Sequence, residues 1–219
     1  MRVGLISDVH ANLPALKAVL ADMPPVDLIA CAGDVVGYNP WPGACIDRLR
    51  EREVRTILGN HERQLLLGET FRFNEMAGAG IEHARSQLSD DQREWLESLP
   101  VERTVADGRV KLVHGHPDEP DRYTYQEDVS AGLLGEESVC CFGHTHVQHV
   151  DRFGEGIVVN PGSVGQPRDG DPRAAYAVCD LDAMTVETHR TRYDIERVRL
   201  GIAEAGLPER TGNRLLRGE

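Results

Sequence analysis

The stretch Gly59-Asn60-His61-Glu62 places an amide oxygen, an imidazole and a carboxylate on successive residues, directly after an apolar run at 54–58. A run of that kind reads as a buried strand, so the polar triplet stands at a strand's end, where α/β sites are built. Four other stretches end the same way: Asp8 and His10 after 2–7, Gly33-Asp34 after 26–32, His114 after 109–113, and Gly143-His144-Thr145-His146 after 139–142. Asp8 with His10, and His144 with His146, stand two residues apart and can each converge on one small volume. Two carboxylates, an amide oxygen and four or five imidazoles suit divalent manganese, iron, zinc or nickel, and are too nitrogen-rich for calcium or magnesium. The set is too large for one ion. Two ions need a bridging group, and a carboxylate with two oxygens is the natural one.

The elements that must position these groups follow from periodicity and punctuation. A strand at 2–7 leads into a helix capped by Asn12 and stopped at Met23-Pro24-Pro25. Strands at 26–32 and 54–58 enclose a helix through Cys45, Ile46 and Leu49, which predicts right-handed crossovers and a parallel sheet. The middle is helical over 63–67, 74–87 and 89–99, with Ser89-Asp90-Asp91-Gln92 as an N-terminal capping box for the third. Asp107-Gly108 joins a hairpin of 101–106 and 109–113, and Gly154-Glu155-Gly156 joins a second of 147–153 and 157–160. A Gly/Pro-rich loop at 161–172, closing strands at 174–179 and 185–191, and a charged helical tail from 194 complete the chain. The strand-rich second half predicts two packed sheets flanked by helices. Without repeats or linkers, residues 1–219 read as one domain.

Composition narrows the function classes. The formal charge is −12, and Lys17 and Lys111 are the only lysines. A negative surface argues against nonspecific nucleic-acid binding, which needs cations to neutralise phosphates. Few lysines among many carboxylates also fit a protein working in high salt, a halophile's, where salt screens self-repulsion. The five cysteines lack CxxC spacing and read as free, buried thiols of a reducing cytoplasm. No apolar run is long enough to span a membrane.

The motifs DxH, GD, GNH followed by an acid, H and GHxH occur here in order as Asp8/His10, Gly33-Asp34, Gly59-Asn60-His61-Glu62, His114 and Gly143-His144-Thr145-His146. This pattern resembles the calcineurin-like metallophosphoesterase superfamily. The stretch 160–168, Asn-Pro-Gly-Ser-Val-Gly-Gln-Pro-Arg, resembles its small bacterial and archaeal phosphodiesterase branch. The resemblance implies an α/β fold, a four-layer α/β/β/α sandwich of two mixed β-sheets flanked by helices. It implies two divalent transition-metal ions, manganese first and iron, zinc or nickel as alternatives. Asp8, His10, Asp34 and His146 would hold one ion, and Asp34, Asn60, His114 and His144 the other, with Asp34 bridging. A hydroxide shared by the ions would attack phosphorus in line, and His61 would act as general acid toward the leaving alkoxide. Glu62 stands where the commonest family form has Asp, and is expected to orient His61 despite its longer side chain.

Arg168 and Arg173 border the glycine-rich loop and are candidates for holding a substrate phosphate; His116 is a candidate on the pocket rim. Tyr38, Tyr123 and Tyr125 stand in loops, where a tyrosine can stack a base or simply pack. The expected activity is phosphodiester hydrolysis on a small-molecule phosphate ester. Alternatives are a phosphomonoesterase or protein phosphatase, a dinucleoside polyphosphate hydrolase, and, from another class, a catalytically weak scaffold or binding module. No membrane partner is expected, and homo-oligomerisation stays open.

Overall fold

Alternation along the strands sorts the apolar side chains into separate layers of core. The computed structural model describes residues 1–68, 74–154 and 156–219, so Glu155 of the second expected turn lies outside the described residues. The first part of the chain runs β1 (Arg2–Ile6), α1 (Leu13–Asp22), β2 (Leu28–Cys31), α2 (Pro42–Glu51), β3 (Arg55–Thr56), α3 (Asn60–Leu67), α4 (Glu75–Gln87) and α5 (Asp90–Glu97). The second part runs β4 (Arg103–Val105), β5 (Val110–Leu112), β6 (Val139–Cys141), β7 (His149–Phe153), β8 (Gly156–Asn160), β9 (Ala174–Asp180), β10 (Thr185–Thr191), α6 (Ile195–Glu204) and α7 (Glu209–Leu215).

These strands form two five-stranded mixed sheets, ordered β10-β9-β1-β2-β3 and β4-β5-β6-β8-β7. Val3 and Leu5 of β1 and Ala177 and Cys179 of β9 meet Val139 and Cys141 of β6 and Ile157 and Val159 of β8 between the sheets. The alternate residues Ile6, Tyr176 and Val178 turn outward into a core shared with α1, α2, α4 and α5. On the far side, Cys140, Phe142 and Val158 pack with Leu133, which lies in a short 3₁₀ turn. Period-two burial thus makes each sheet apolar on both faces, as a sandwiched sheet requires. Among the described residues no helix is long and apolar enough to cross a membrane.

The site follows from strand direction. β1, β2 and β3 are mutually parallel, as are β5 and β6. Their C-terminal ends therefore carry all five polar stretches to one edge of the sandwich. The expected parallel order holds for β1 to β3, but β9 pairs antiparallel on the other side of β1 and makes the sheet mixed. The run 54–58 contributes only two residues as strand; beyond it Leu58 N–H donates to Pro100 O at 2.8 Å instead of continuing the ladder. The Asp107-Gly108 turn is wider than a two-residue loop, with Ala106, Asp107 and Gly108 all at positive φ.

The glycine-rich loop is laid directly on the loop after β1. Val164 N–H donates to Ser7 O at 3.0 Å and Gly165 N–H to Asp8 O at 2.9 Å, while the Ser163 hydroxyl also donates to Asp8 O at 2.7 Å. A Cβ on Gly165 would lie 1.9 Å from the Val9 carbonyl oxygen, so only glycine allows this approach. Gly165→Ala should therefore force the loops apart and destabilise the protein by about 1–3 kcal/mol, seen as a lowered urea midpoint. Gly132→Ala, where the nearest atom is Ser130 Oγ at 3.5 Å, is the control. Equal midpoints for the two variants would contradict the close approach.

Candidate metal centre

Asn60 and His61 occupy the first turn of α3, which begins three residues before the helix expected over 63–67. Gly59 is the N-cap, and the Glu62 carboxylate returns to accept its N–H at 2.8 Å. The same carboxylate accepts Asp34 N–H at 3.0 Å and Val36 N–H at 2.9 Å. Glu62 thus ties the loop after β2 to the start of α3. Both of its oxygens are engaged by backbone amides, so holding these two segments together is a task of Glu62 besides the one expected of it toward His61. Asp34 Oδ1 accepts His61 N–H at 2.9 Å, so this carboxylate sits at a helix N-terminus, where the free amides favour negative charge. A Cβ on Gly59 would lie 2.1 Å from Asp34 Oδ1, which explains the glycine before Asn60.

The imidazoles are oriented from behind by backbone carbonyls. Nδ1 of His10 lies 3.0 Å from Val36 O, Nδ1 of His114 2.8 Å from Ala32 O, and Nδ1 of His146 2.6 Å from Gln166 O. A carbonyl only accepts, so each Nδ1 carries a proton and each Nε2 is turned into the cluster. His144 is reversed: its Nε2 faces Asp121 O at 3.2 Å and its Nδ1 points inward. The inward atoms crowd together, with His10 Nε2 and His146 Nε2 3.1 Å apart, and His114 Nε2 2.9 Å from Asn60 Oδ1 and 3.1 Å from His144 Nδ1. Two neutral imidazole lone pairs at that distance repel unless a proton or cation lies between them. That donor set therefore fits a cation.

Asp34 joins the two halves. Its Oδ2 lies 3.4 Å from His114 Nε2, 3.6 Å from His10 Nε2 and 3.8 Å from His61 Nε2. Asp8 faces His146 Nε2 at 3.3 Å and also accepts His144 N–H at 3.1 Å. Among the described residues, three groups of three could each hold a metal ion: Asp8, His10 and His146; His10, Asp34 and His61; and Asp34, His114 and His144. The structure brings together all seven side chains singled out as ligands in the sequence, with His61 beside them.

Burial sets the electrostatics. It pushes Asp8 up to about 7 and lowers His61 to about 4 and His144 to about 3. Burial would also raise Asp34, but His114 and His61 outweigh it and hold that carboxylate well below the usual range. Conversely burial would lower His114, but the facing Asp34 raises it to about 9. Burial, then the nearby charge of Asp34, pushes Glu62 up to about 7 against the pull of its amide donors.

Five of the seven residues, Asp8, His10, Asp34, His144 and His146, have φ between 45° and 68°. Left-handed backbone is uncommon for such residues and carries strain, which the surrounding hydrogen bonds must offset. It turns the side chains back over the strand ends. Nothing in the residue types announces it.

Around the cluster, a cleft of about 270 Å³ is lined by Tyr38, His61, Gln64, Tyr123 and Arg168 among others. Arg168 Nη2 donates to Gln166 Oε1 at 2.8 Å and to the Tyr38 hydroxyl at 3.2 Å. Tyr38 packs edge-on against His10, with centroids 4.8 Å apart. Arg173 is not part of this cleft; its Nε and Nη2 donate to Asp171 at 3.0 and 2.6 Å on an exposed surface. His116 also lies outside the lining, its Nδ1 accepting Asp118 N–H at 3.1 Å. Both expectations are corrected by these local partners. Tyr123 is stacked on His144, and Gln166, whose carbonyl orients His146, escaped the sequence reading of the site.

Known proteins resemble this chain in sequence and in fold. A model of the calcineurin-like phosphoesterase superfamily domain matches residues 1–184. An uncharacterised protein of Methanocaldococcus jannaschii, MJ0912, is 31% identical over 99% of this chain and 98% of its own length. Phosphodiesterase YfcE of Escherichia coli is 28% identical over 85% of this chain and 91% of its own. The crystal structure of a metallophosphoesterase from Sphaerobacter thermophilus superposes with a TM-score of 0.88 at 36% identity, covering 100% of this chain and 99% of that one.

The raised His114 carries a consequence for cation binding. With its ring held up to about 9, a cation that takes Nε2 at pH 7 must displace a proton. Manganese binding should therefore release about one proton or more per chain, and affinity should rise by up to about tenfold per pH unit below pH ~9. Calorimetry in buffers of different ionisation enthalpy measures this. Binding without proton release would mean that His114 is already neutral.

Proposed function

Because the chain belongs to the calcineurin-like phosphoesterase superfamily, we propose that it is a dinuclear-metal phosphodiesterase acting on a small phosphoric ester. The observation that carries this reading is the position of Asp34 Oδ2, a single buried oxygen facing imidazoles from both halves of the cluster. Asp8, His10, Asp34 and His146 would hold one ion and Asp34, Asn60, His114 and His144 the other, with Asp34 near both. Nitrogen-rich sites of this kind suit manganese, iron, zinc or nickel. When bound, the ions supply Lewis acidity toward the phosphoryl oxygens and make hydroxide available at neutral pH.

The chain's own residues supply binding and proton transfer. Arg168 is the single lysine or arginine among the described residues lining the cleft, and its charge bears on His61, His144 and His146. One such cation suits the one negative charge of a diester better than the two of a monoester. Tyr38 fixes both sides of that arrangement, packing against His61 with ring centroids 5.0 Å apart while its hydroxyl accepts from Arg168. His61 faces the cluster through Nε2 and delivers a proton to the leaving alkoxide. Burial pulls this ring down to about 4, so its protonated form depends on the negative charge of bound phosphate.

Metal-stripped protein reconstituted with manganese should cleave a chromogenic phosphodiester faster than the matching monoester, in low and in molar salt. A preference for the monoester, or no manganese-dependent cleavage of either, would overturn the reading. Replacing His61 with Ala should slow a diester with a poor alkoxide leaving group by about 10²–10⁴-fold, and one with p-nitrophenolate far less, since a good leaving group needs no acid. Equal losses for both leaving groups would assign His61 a different task.

A further inference from the structure

The helices α6 and α7 lie beyond residue 184, where the superfamily match ends, yet they are packed against the two loops that bring Tyr38 and Arg168 to the cleft. Val198, Ile202, Leu207 and Leu215 form a small core between them, and Trp41 joins it from the loop after β2. Gly201 of α6 makes that contact possible. A Cβ there would lie 2.5 Å from Trp41 Cζ2 and 3.0 Å from Pro40 Cγ, so the loop rests directly on the helix backbone. From the same helix the Arg197 guanidinium covers the Trp41 ring, with Cζ 5.5 Å from the centroid. Tyr38 stands three residues before this anchored tryptophan.

The chain just after α7 reaches the other loop. Gly170 N–H donates to Gly218 O at 3.0 Å, and a Cβ on Gly218 would lie 2.7 Å from the Asp171 backbone. Arg168 stands two residues before that contact, and its own N–H donates to His146 O at 3.3 Å. One segment therefore holds two loops far apart in sequence, and those loops carry the two ends of a single hydrogen bond, Arg168 Nη2 to the Tyr38 hydroxyl at 3.2 Å. That bond works against a like charge. Burial, then the charge of Arg168, pulls Arg214 of α7 below the usual arginine range, so the two guanidiniums repel one another. Arg168 keeps its place over the cluster only if its loop is fixed.

We propose that the segment from α6 to Gly218 is a clamp that positions Arg168 for the phosphate of the ester, acting through Gly201 on the loop of Tyr38 and through Gly218 on the loop of Arg168. This rests on the phosphodiesterase reading above, in which Arg168 meets the one charge of a diester. Gly201 and Gly218 are positioning residues, since neither lines the cleft. A cation that meets the same charge in substrate and transition state acts on KM and leaves kcat nearly unchanged, so misplacing it should do the same.

Gly218→Ala sets a methyl group against Asp171 at a φ of 65°. Gly206→Ala is the matched control, because Gly206 lies in the same tail at a φ of 67° and an added Cβ there meets nothing within 4 Å. With bis(p-nitrophenyl) phosphate and manganese-loaded enzyme, Gly218→Ala should raise KM by about 3–30-fold, within the range over which contacting groups couple, and change kcat by no more than about twofold. Gly206→Ala should leave KM as it is. In an Arg168→Ala background Gly218→Ala should have no further effect, because the group it misplaces is gone. Gly201→Ala, which presses on the other loop, should repeat this pattern and decides the matter if Gly218→Ala does not fold. An unchanged KM, equal rises in Gly218→Ala and Gly206→Ala, or the same rise with Arg168 absent overturns the clamp and leaves the phosphodiesterase reading standing. If the unaltered protein cleaves no diester, that reading fails separately, and calorimetric binding of dimethyl phosphate to the manganese-loaded protein decides the clamp. Affinity lowered by Gly218→Ala but not by Gly206→Ala supports it; equal or absent binding overturns it.

Discussion

Asp34 is a carboxylate buried to 1% exposure where the two sheets meet, and the surrounding elements are arranged to offset that desolvation. A lone buried carboxylate would be protonated. Here one oxygen accepts an amide at the start of α3, and the other is faced by His10, His61 and His114. Its own N–H donates to Glu62, a second buried carboxylate, whose remaining capacity closes the cap of the same helix. The loop after β2 and the start of α3 are therefore one hydrogen-bonded unit. Asp34 cannot be moved without disturbing the helix that carries Asn60 and His61.

The same logic applies to the imidazoles. His10, His114 and His146 each spend one ring nitrogen on a backbone carbonyl, from Val36, Ala32 and Gln166, and so present the other nitrogen inward in a fixed tautomer. Those carbonyls belong to other loops than the histidines they hold, so each ring depends on two segments of chain. The glycine-rich loop contributes most. It lies on the backbone of Ser7 and Asp8, and through Gln166 it also orients His146. Strain in the left-handed residues is sustained because each such loop is tied down by a neighbour.

Function at the cleft is then a matter of how little positive charge is free. The protein carries −12, and Arg63 and Arg122 near the mouth are paired with Asp121 and Asp128, which among the described residues lining the cleft leaves Arg168 over the cluster. Its guanidinium is itself placed by Gln166 and Tyr38, two residues from opposite sides of the site. Each added negative charge on a ligand in such a cleft would need a cation, and Arg63 and Arg122 are already paired.

Much of this was legible in the sequence. The residue types at five strand ends, their two-residue spacing, and the caps at Asn12 and Ser89 are local features, and local features survive in a string of letters. The alternation that buries Val3 and Leu5 on one face and Ile6 on the other is local too. What required the tertiary structure depends on partners far apart in the chain. Glu62 serves amides at positions 34 and 36, so its task was invisible from its neighbour His61. Arg168 and Arg173 border the same loop, yet Asp171 takes one guanidinium and the cleft receives the other. Antiparallel β9 beside β1 and the left-handed turns at Asp8, Asp34 and His144 arise from backbone pairing across the sandwich. The sequence by itself determined which donors stand at the strand ends. Their direction, tautomer and charge were decided by the fold, because those properties belong to the backbone groups that long-range packing brings against each side chain.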